Sequence, residues 1–170
     1  MTQPRTLRDM NLFIDGKGFA GRVTELILPK LAQKTEEHRA GGMPAPVEIP
    51  LGLEKLEASF TLVDFSEVAL SNWGVADSAG VSFRFMGSMA PNDGSSTEQP
   101  VAVALRGSWR ELDWGTWKPG EVASLKITAD VTYYQYSQNS QILIEIDVLN
   151  YVYTVDGVDL LAQRRRNLGI

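Results

Sequence analysis

The chain contains no cysteine and only one histidine. Without cysteine there are no disulfides and no thiol chemistry, which suits a protein that folds in a reducing compartment. His38 has neither a second histidine nor a thiolate to join it, so no imidazole-based metal site can form, and no cofactor is expected. No stretch approaches the ~18 apolar residues of a membrane-spanning helix, and no apolar leader follows Met1. The expectation is a soluble protein, without a membrane anchor, assembled in the cytoplasm where it is made. Cations are the minority: 16 Lys and Arg against 21 Asp and Glu leave a net charge of -5. Tight nucleic-acid binding needs clustered cations to neutralise phosphate, and the one cluster, Arg164-Arg165-Arg166, reads more simply as a helix-end or salt-bridging run.

What is present is β-patterned. Residues 1–9 lack periodicity and are expected to form an N-terminal arm that orders against a neighbour. Asn11 to Asp15 and Val23 to Leu28 read as strands joined by a Gly16–Gly21 turn. That turn satisfies G-x-G-x-x-G, but strand formers follow it where a dinucleotide site needs a helix. Leu56, Ala58, Phe60 and Leu62 alternate with Glu57, Ser59 and Thr61, the pattern of a half-buried strand. Asp64 to Trp73 reads as a helix ended by Gly74, with Phe65, Ala69 and Trp73 on the face that packs against the body.

Four more strands follow, Val81 to Met89, Pro100 to Arg110, Val122 to Tyr136 and Gln141 to Tyr153. The separating turns are Pro91 to Ser95, Lys118 to Gly120 and Ser137 to Ser140. In the last strand, Ile142, Ile144, Ile146 and Val148 oppose Leu143, Glu145 and Asp147. The expected fold is mainly β: a two-sheet antiparallel β-sandwich or barrel with one flanking α-helix and a long protruding hairpin, in a single domain spanning 1–170.

The hairpin is the most informative segment. From Leu26 to Phe60, two strand-like stretches flank a Gly/Pro/Met-rich tip without catalytic residues. Met43, Val47, Ile49, Leu51 and Leu53 are too many apolar groups to leave in water, and prolines at 44, 46 and 50 stiffen the arm. It is built to touch other copies of the chain. Elsewhere, the carboxylate pairs Glu36/Glu37 and Glu145/Asp147 read as strand faces rather than acid–base machinery. Trp109, Trp114 and Trp117 read as core lids or interface anchors, with a carbohydrate platform as the alternative.

Leu28 to Leu31, Thr35 to Met43, Ala45 to Val47 and Gly52 to Glu54 together resemble the major tail tube protein of contractile-tailed phages and R-type pyocins. Asn11 to Gly16 with Phe19-Ala20-Gly21 is similar to the family's start, and Asp156 to Asp159 with Arg166 to Ile170 to its end. The resemblance implies a non-enzymatic subunit of six-membered rings that stack into a hollow tube within a sheath. Such a tube passes DNA in a phage, without binding it specifically, or ions in a pyocin. A type VI secretion-like tube and a monomeric carbohydrate-binding β-sandwich are the alternatives. Implied partners are further copies of the chain, the tail sheath, baseplate and tail terminator proteins, and a tape-measure protein during assembly; the implied location is a virion tail.

On this reading the 35–53 arm makes the inter-ring contact through Thr35, Glu36, Glu37, His38, Arg39, Met43, Val47, Ile49 and Leu51. The N-terminal arm with Arg5 and a C-terminal arm over 158–170, with Arg164, Arg165, Arg166 and Leu168, meet neighbouring subunits. A conduit for DNA needs a polar lining richer in acids than bases, and Glu57, Ser59, Thr61, Thr128, Asp130, Glu145 and Asp147 are the candidates.

Overall fold

Period-two alternation produces strands along most of the chain. The computed structural model describes residues 4–75, 80–92 and 97–170. Its elements in order are β1 (Arg5–Ile14), β2 (Lys17–Gly18), β3 (Val23–Ile27), β4 (Gln33–His38), β5 (Val47–Leu53), β6 (Leu56–Leu62) and α1 (Glu67–Ser71). There follow β7 (Val81–Pro91), β8 (Gln99–Asp113), β9 (Leu125–Gln138), β10 (Gln141–Asp147), β11 (Val152–Val155), β12 (Val158–Asp159) and α2 (Ala162–Leu168). The fold is mainly β and antiparallel, as expected, with β4 and β5 forming a separate hairpin.

One sheet supplies both layers of the body. It runs β12-β11-β10-β9-β8-β7-β1-β2, and β6, carrying β3, joins β9. The first half of β9 pairs with β6 and the second half with β10, while β8 follows its other edge throughout. The sheet therefore forks at β9 and curls: Phe60 of β6 meets Phe83 and Phe85 of β7 at 5.8 Å each, across the interior. Bulges in the β8–β9 ladder, with Thr132 extra in β9 and Arg110 extra in β8, sharpen the bend. At one of them a Cβ on Gly107 would lie 2.0 Å from the Asp130 carbonyl oxygen, so only glycine lets β8 approach β9 there.

Trp109 fills the interior beside Phe60 and Phe83, with ring centroids 5.6 and 5.0 Å away. Leu12, Ile14, Leu62, Leu105, Leu125 and Ile127 complete a dry core, each side chain contributing about 1.5–3 kcal/mol of burial free energy.

The structure corrects several expectations. Residues 5–9 are not an arm, because β1 pairs with β7 from Arg5↔Pro91 to Ile14↔Phe83. Both faces of that stretch are exposed, so ladder hydrogen bonds hold it where no apolar periodicity could announce it. The last strand breaks into β10 and β11 because the Asp147 carboxylate accepts from the Asn150 backbone N–H (3.0 Å) and side-chain amide (2.8 Å), closing a turn. A bulge between Ile142 and Ile144 moves Ile142 off the core face, and both Ile142 and Val148 are exposed.

The 64–73 helix contracts to one turn. Ser66 occupies its N-cap position without a side-chain capping bond, and Gly74 at φ 78° follows the turn. Ala69 is buried, but Trp73 is 49% exposed, since it lies beyond the helix in a bridge to Trp109. A second helix, α2, occupies the C-terminal segment. The expected Pro91–Ser95 turn falls at Asp93, Gly94 and Ser95, and the start of the N-terminal arm at residues 1–3, outside the described residues.

Candidate functional site

Among the described residues no group of His, Asp and Glu gathers as a metal site. The notable chemistry lies on three surfaces. The first is the arm. In β4–β5, Glu36 faces Ile49 and His38 faces Val47 on one side; Thr35 faces Pro50 and Glu37 faces Glu48 on the other. Every residue of the two strands except Leu53 is exposed, so Val47, Ile49 and Leu51 are held out in water by the stiff hairpin. Met43 is not so presented: its backbone N–H donates to the Ala40 carbonyl at 3.2 Å and its Sδ accepts from the Ala40 N–H at 3.3 Å. It closes the tip turn and is partly buried. Arg39, also in the tip, is exposed.

The second surface is the polar face of the main sheet, which brings all seven candidate lining residues together. Register places Glu57 beside Asp130, Ser59 beside Thr128 and Thr61 beside Lys126. Further along, Gln135 sits beside Glu145 and Tyr133 beside Asp147. Ser59, Thr128 and Asp147 are buried within the chain, because neighbouring long side chains cover short ones and the Asp147 carboxylate is committed to its turn. These three are structural in the single subunit.

Alternation around Leu105 and Trp109 already put Arg106 and Arg110 on this face, yet the sequence reading passed them over, together with Lys55. Alternation from Leu125 to Val131 put Tyr133 on the core face, but Thr132 is an extra residue in the β8–β9 ladder, so Tyr133 comes to the polar face and Tyr134 is buried instead. Arg110 reaches Glu57 at 2.6 Å and Asp130 at 3.6 Å, and Lys55 reaches Asp130 at 2.7 Å. Arg106 lies 4.5 Å from the Tyr133 ring centroid and 3.5 Å from the Asp147 carboxylate. The Tyr133 hydroxyl donates to Glu145 at 2.9 Å. Burial, then the hydrogen bond and charge of Glu145, push its pKa up to about 12, so it stays a neutral donor. No residue of the sequence said which acid would meet which base, because these partners come from different strands.

The third surface is the C-terminal segment. Arg165 turns back into its own chain, donating to the Asp159 carboxylate and, at 3.0 Å, to the Tyr151 carbonyl. The Arg165 hydrogen bonds hold the Asp159 carboxyl below its ordinary range. Arg165 is therefore a clamp within the subunit, in keeping with a salt-bridging role for the arginine run. Arg164, Arg166 and Leu168 are exposed on α2, as is Arg5 on β1. The tryptophans divide: Trp109 is buried, whereas Trp114 and Trp117 stack on Phe65 at 5.7 and 5.0 Å.

A stiff apolar-tipped arm, a polar sheet face and a basic C-terminal helix are features of a self-assembling subunit. The family model for phage tail tube protein FII matches residues 4–169. The chain belongs to this family. It is 36% identical to the tail tube protein of Escherichia phage P2 over 175 residues, covering all of both chains. It is 33% identical to the major tail tube protein of Serratia phage KSP20, covering 96% of this chain and 95% of that one.

The tail tube fold also recurs at far lower identity. A chain of the sheath–tube complex of an extracellular contractile injection system superposes with a TM-score of 0.60 at 10% identity, over 79% of this chain and 91% of that one. A chain of the sheath/tube terminator of the same kind of system gives 0.58 at 11% identity, over 79% and 96%. The chain is thus a structural subunit of a tail tube, and the carbohydrate-binding alternative falls away.

Proposed function

We propose that this tail tube protein forms six-membered rings that stack into a hollow conduit inside a contractile sheath, with the polar sheet face turned to the bore. The observation that carries this reading is an open edge. Among the described residues, the edge of β1 opposite β7 is paired only at Phe13 and Ile14, by β2, so from Arg5 to Asn11 it carries unpaired ladder groups along a long strand. Such an edge invites pairing with another chain, and closing a ring removes the hazard while using the same hydrogen bonds. The bore wall is then polar and largely neutralised, since Arg110 and Lys55 offset Glu57 and Asp130. DNA in transit meets a surface that neither grips nor strongly repels phosphate.

The arm bridges successive rings through Thr35 to Arg39 and Val47 to Leu51. Sheath, baseplate and terminator proteins meet the assembled tube, and a tape-measure protein occupies the bore while the tail is built in the host cytoplasm. The same tube in a pyocin-like particle passes ions. Negative-stain microscopy of the purified protein tests the reading: rings and hollow tubes are expected, and a monodisperse monomer at high concentration would overturn it.

A further inference from the structure

We propose that the groove at the root of the arm is the receptor for the arm of a second copy, a contact that rests on the stacked-tube reading and names its socket. The groove, of about 600 Å³, is walled by Leu51 and Leu53 of the arm root, Val148 and Tyr151 of the β10–β11 turn, and Leu160 and Arg164. Val148 and Leu160 are each more than half exposed, so apolar walls stand open beside a guanidinium.

The arm of another copy has the complementary character. Val47 and Ile49 share a face with Glu36, which presents two apolar groups and a carboxylate to a socket with apolar walls and Arg164. Glu37 and Glu48 add negative charge on the opposite face. Among the described residues none of these three carboxylates is in an ion pair, and neither are Arg164 and the exposed Arg166 on α2.

A chain cannot seat its own Val47 this way. The groove-lining residue of β5 nearest to Val47 is Pro50, three positions along the extended strand, so at ~3.4 Å per residue Val47 stands roughly 10 Å from the groove and the rigid strand cannot fold it back there. The contact is therefore heterologous, with knob and socket on different parts of the subunit, so it repeats head to tail and leaves an open end for the next copy.

The cysteine-free chain permits a clean test. Val47→Cys and Leu160→Cys are made as separate variants, co-assembled, checked for tubes by microscopy, oxidised and run on a non-reducing gel. A linked dimer in the mixture, absent from either variant alone, supports the socket, and the doubly substituted chain should give a ladder. Intact tubes without that dimer overturn the socket while leaving the tube reading standing; failure of the unsubstituted protein to form tubes overturns the tube reading instead. If the cysteine variants do not assemble, charge reversal decides. Arg164→Glu should raise the concentration needed for tubes roughly tenfold, as removal of an interfacial charge partner does, and adding Glu36→Arg should restore it; no restoration overturns the pairing.

Discussion

Replacing Trp109 by alanine should nearly unfold the subunit, while the same change at Trp117 should hardly be felt. Trp109 is 5% exposed and Trp117 is 64% exposed. Truncating a buried tryptophan costs about 3–5 kcal/mol through lost transfer energy and the residual cavity. The Trp109 indole N–H also donates to the Ala69 carbonyl at 3.0 Å, and orphaning that acceptor adds about 1 kcal/mol. The sum is about 4–6 kcal/mol, or roughly 10–20 °C of melting temperature at ~2–4 °C per kcal/mol for a chain of this size. Trp117 contacts Phe65 and Trp114, and losing those exposed pairs costs below about 1.5 kcal/mol. The assay is thermal unfolding by circular dichroism, below the concentration at which tubes form, because assembly would itself raise the apparent stability. Trp109→Phe, which keeps a ring but loses the donor, should fall between the two. Equal shifts for Trp109→Ala and Trp117→Ala would refute the placement of Trp109 as the keystone beneath α1.

Replacing residues 35–50 with a short Gly/Ser linker should leave the circular dichroism spectrum of a folded β protein but abolish tubes, because that part of the arm contributes nothing to the core; tubes of normal length would contradict it. Asp159→Asn should release α2 and expose Arg164, Arg165 and Arg166 to trypsin, so the rate of cleavage there should rise against the parent. The Asp159 carboxyl is held below its ordinary value in the fold, so its contribution is present above the unfolded carboxylate range near ~3.9 and is lost as pH falls through the lower folded value. Parent α2 should therefore stay protected at pH 5 and loosen only in stronger acid, as read by hydrogen exchange. In a phage, Glu57→Lys with Glu145→Lys should leave tubes intact but slow DNA ejection, most at low salt; parent-like, salt-independent ejection would argue against a bore position for these residues.

The strands were legible wherever one face is buried. Leu56 to Leu62 alternates because Ala58 and Phe60 point into the core, and Glu57 was placed on the polar face by the same rule. β1 before Met10 was missed because neither of its faces is buried, so nothing in its side chains records the ladder. The break at Asp147 was missed because an apolar alternation from Ile142 to Val148 concealed a turn made by one carboxylate and one asparagine. The salt-bridging character of the arginine run was legible, but three arginines in succession carry no mark of which one meets Asp159. The exposed arm was legible because unburied Val47, Ile49 and Leu51 are conspicuous by composition alone, while its tip residue Met43 depended on a local turn that composition does not encode.

A cryo-electron microscopy reconstruction of tubes assembled from the purified protein would show how the subunits close into rings and which face lines the bore. Six subunits per ring are expected, with a bore lined by the face that carries Glu57, Arg110, Asp130 and Glu145, and with β1 of each subunit paired along its open edge with a neighbour. The same four residues on the outer wall, or rings held together without β1, would contradict that arrangement.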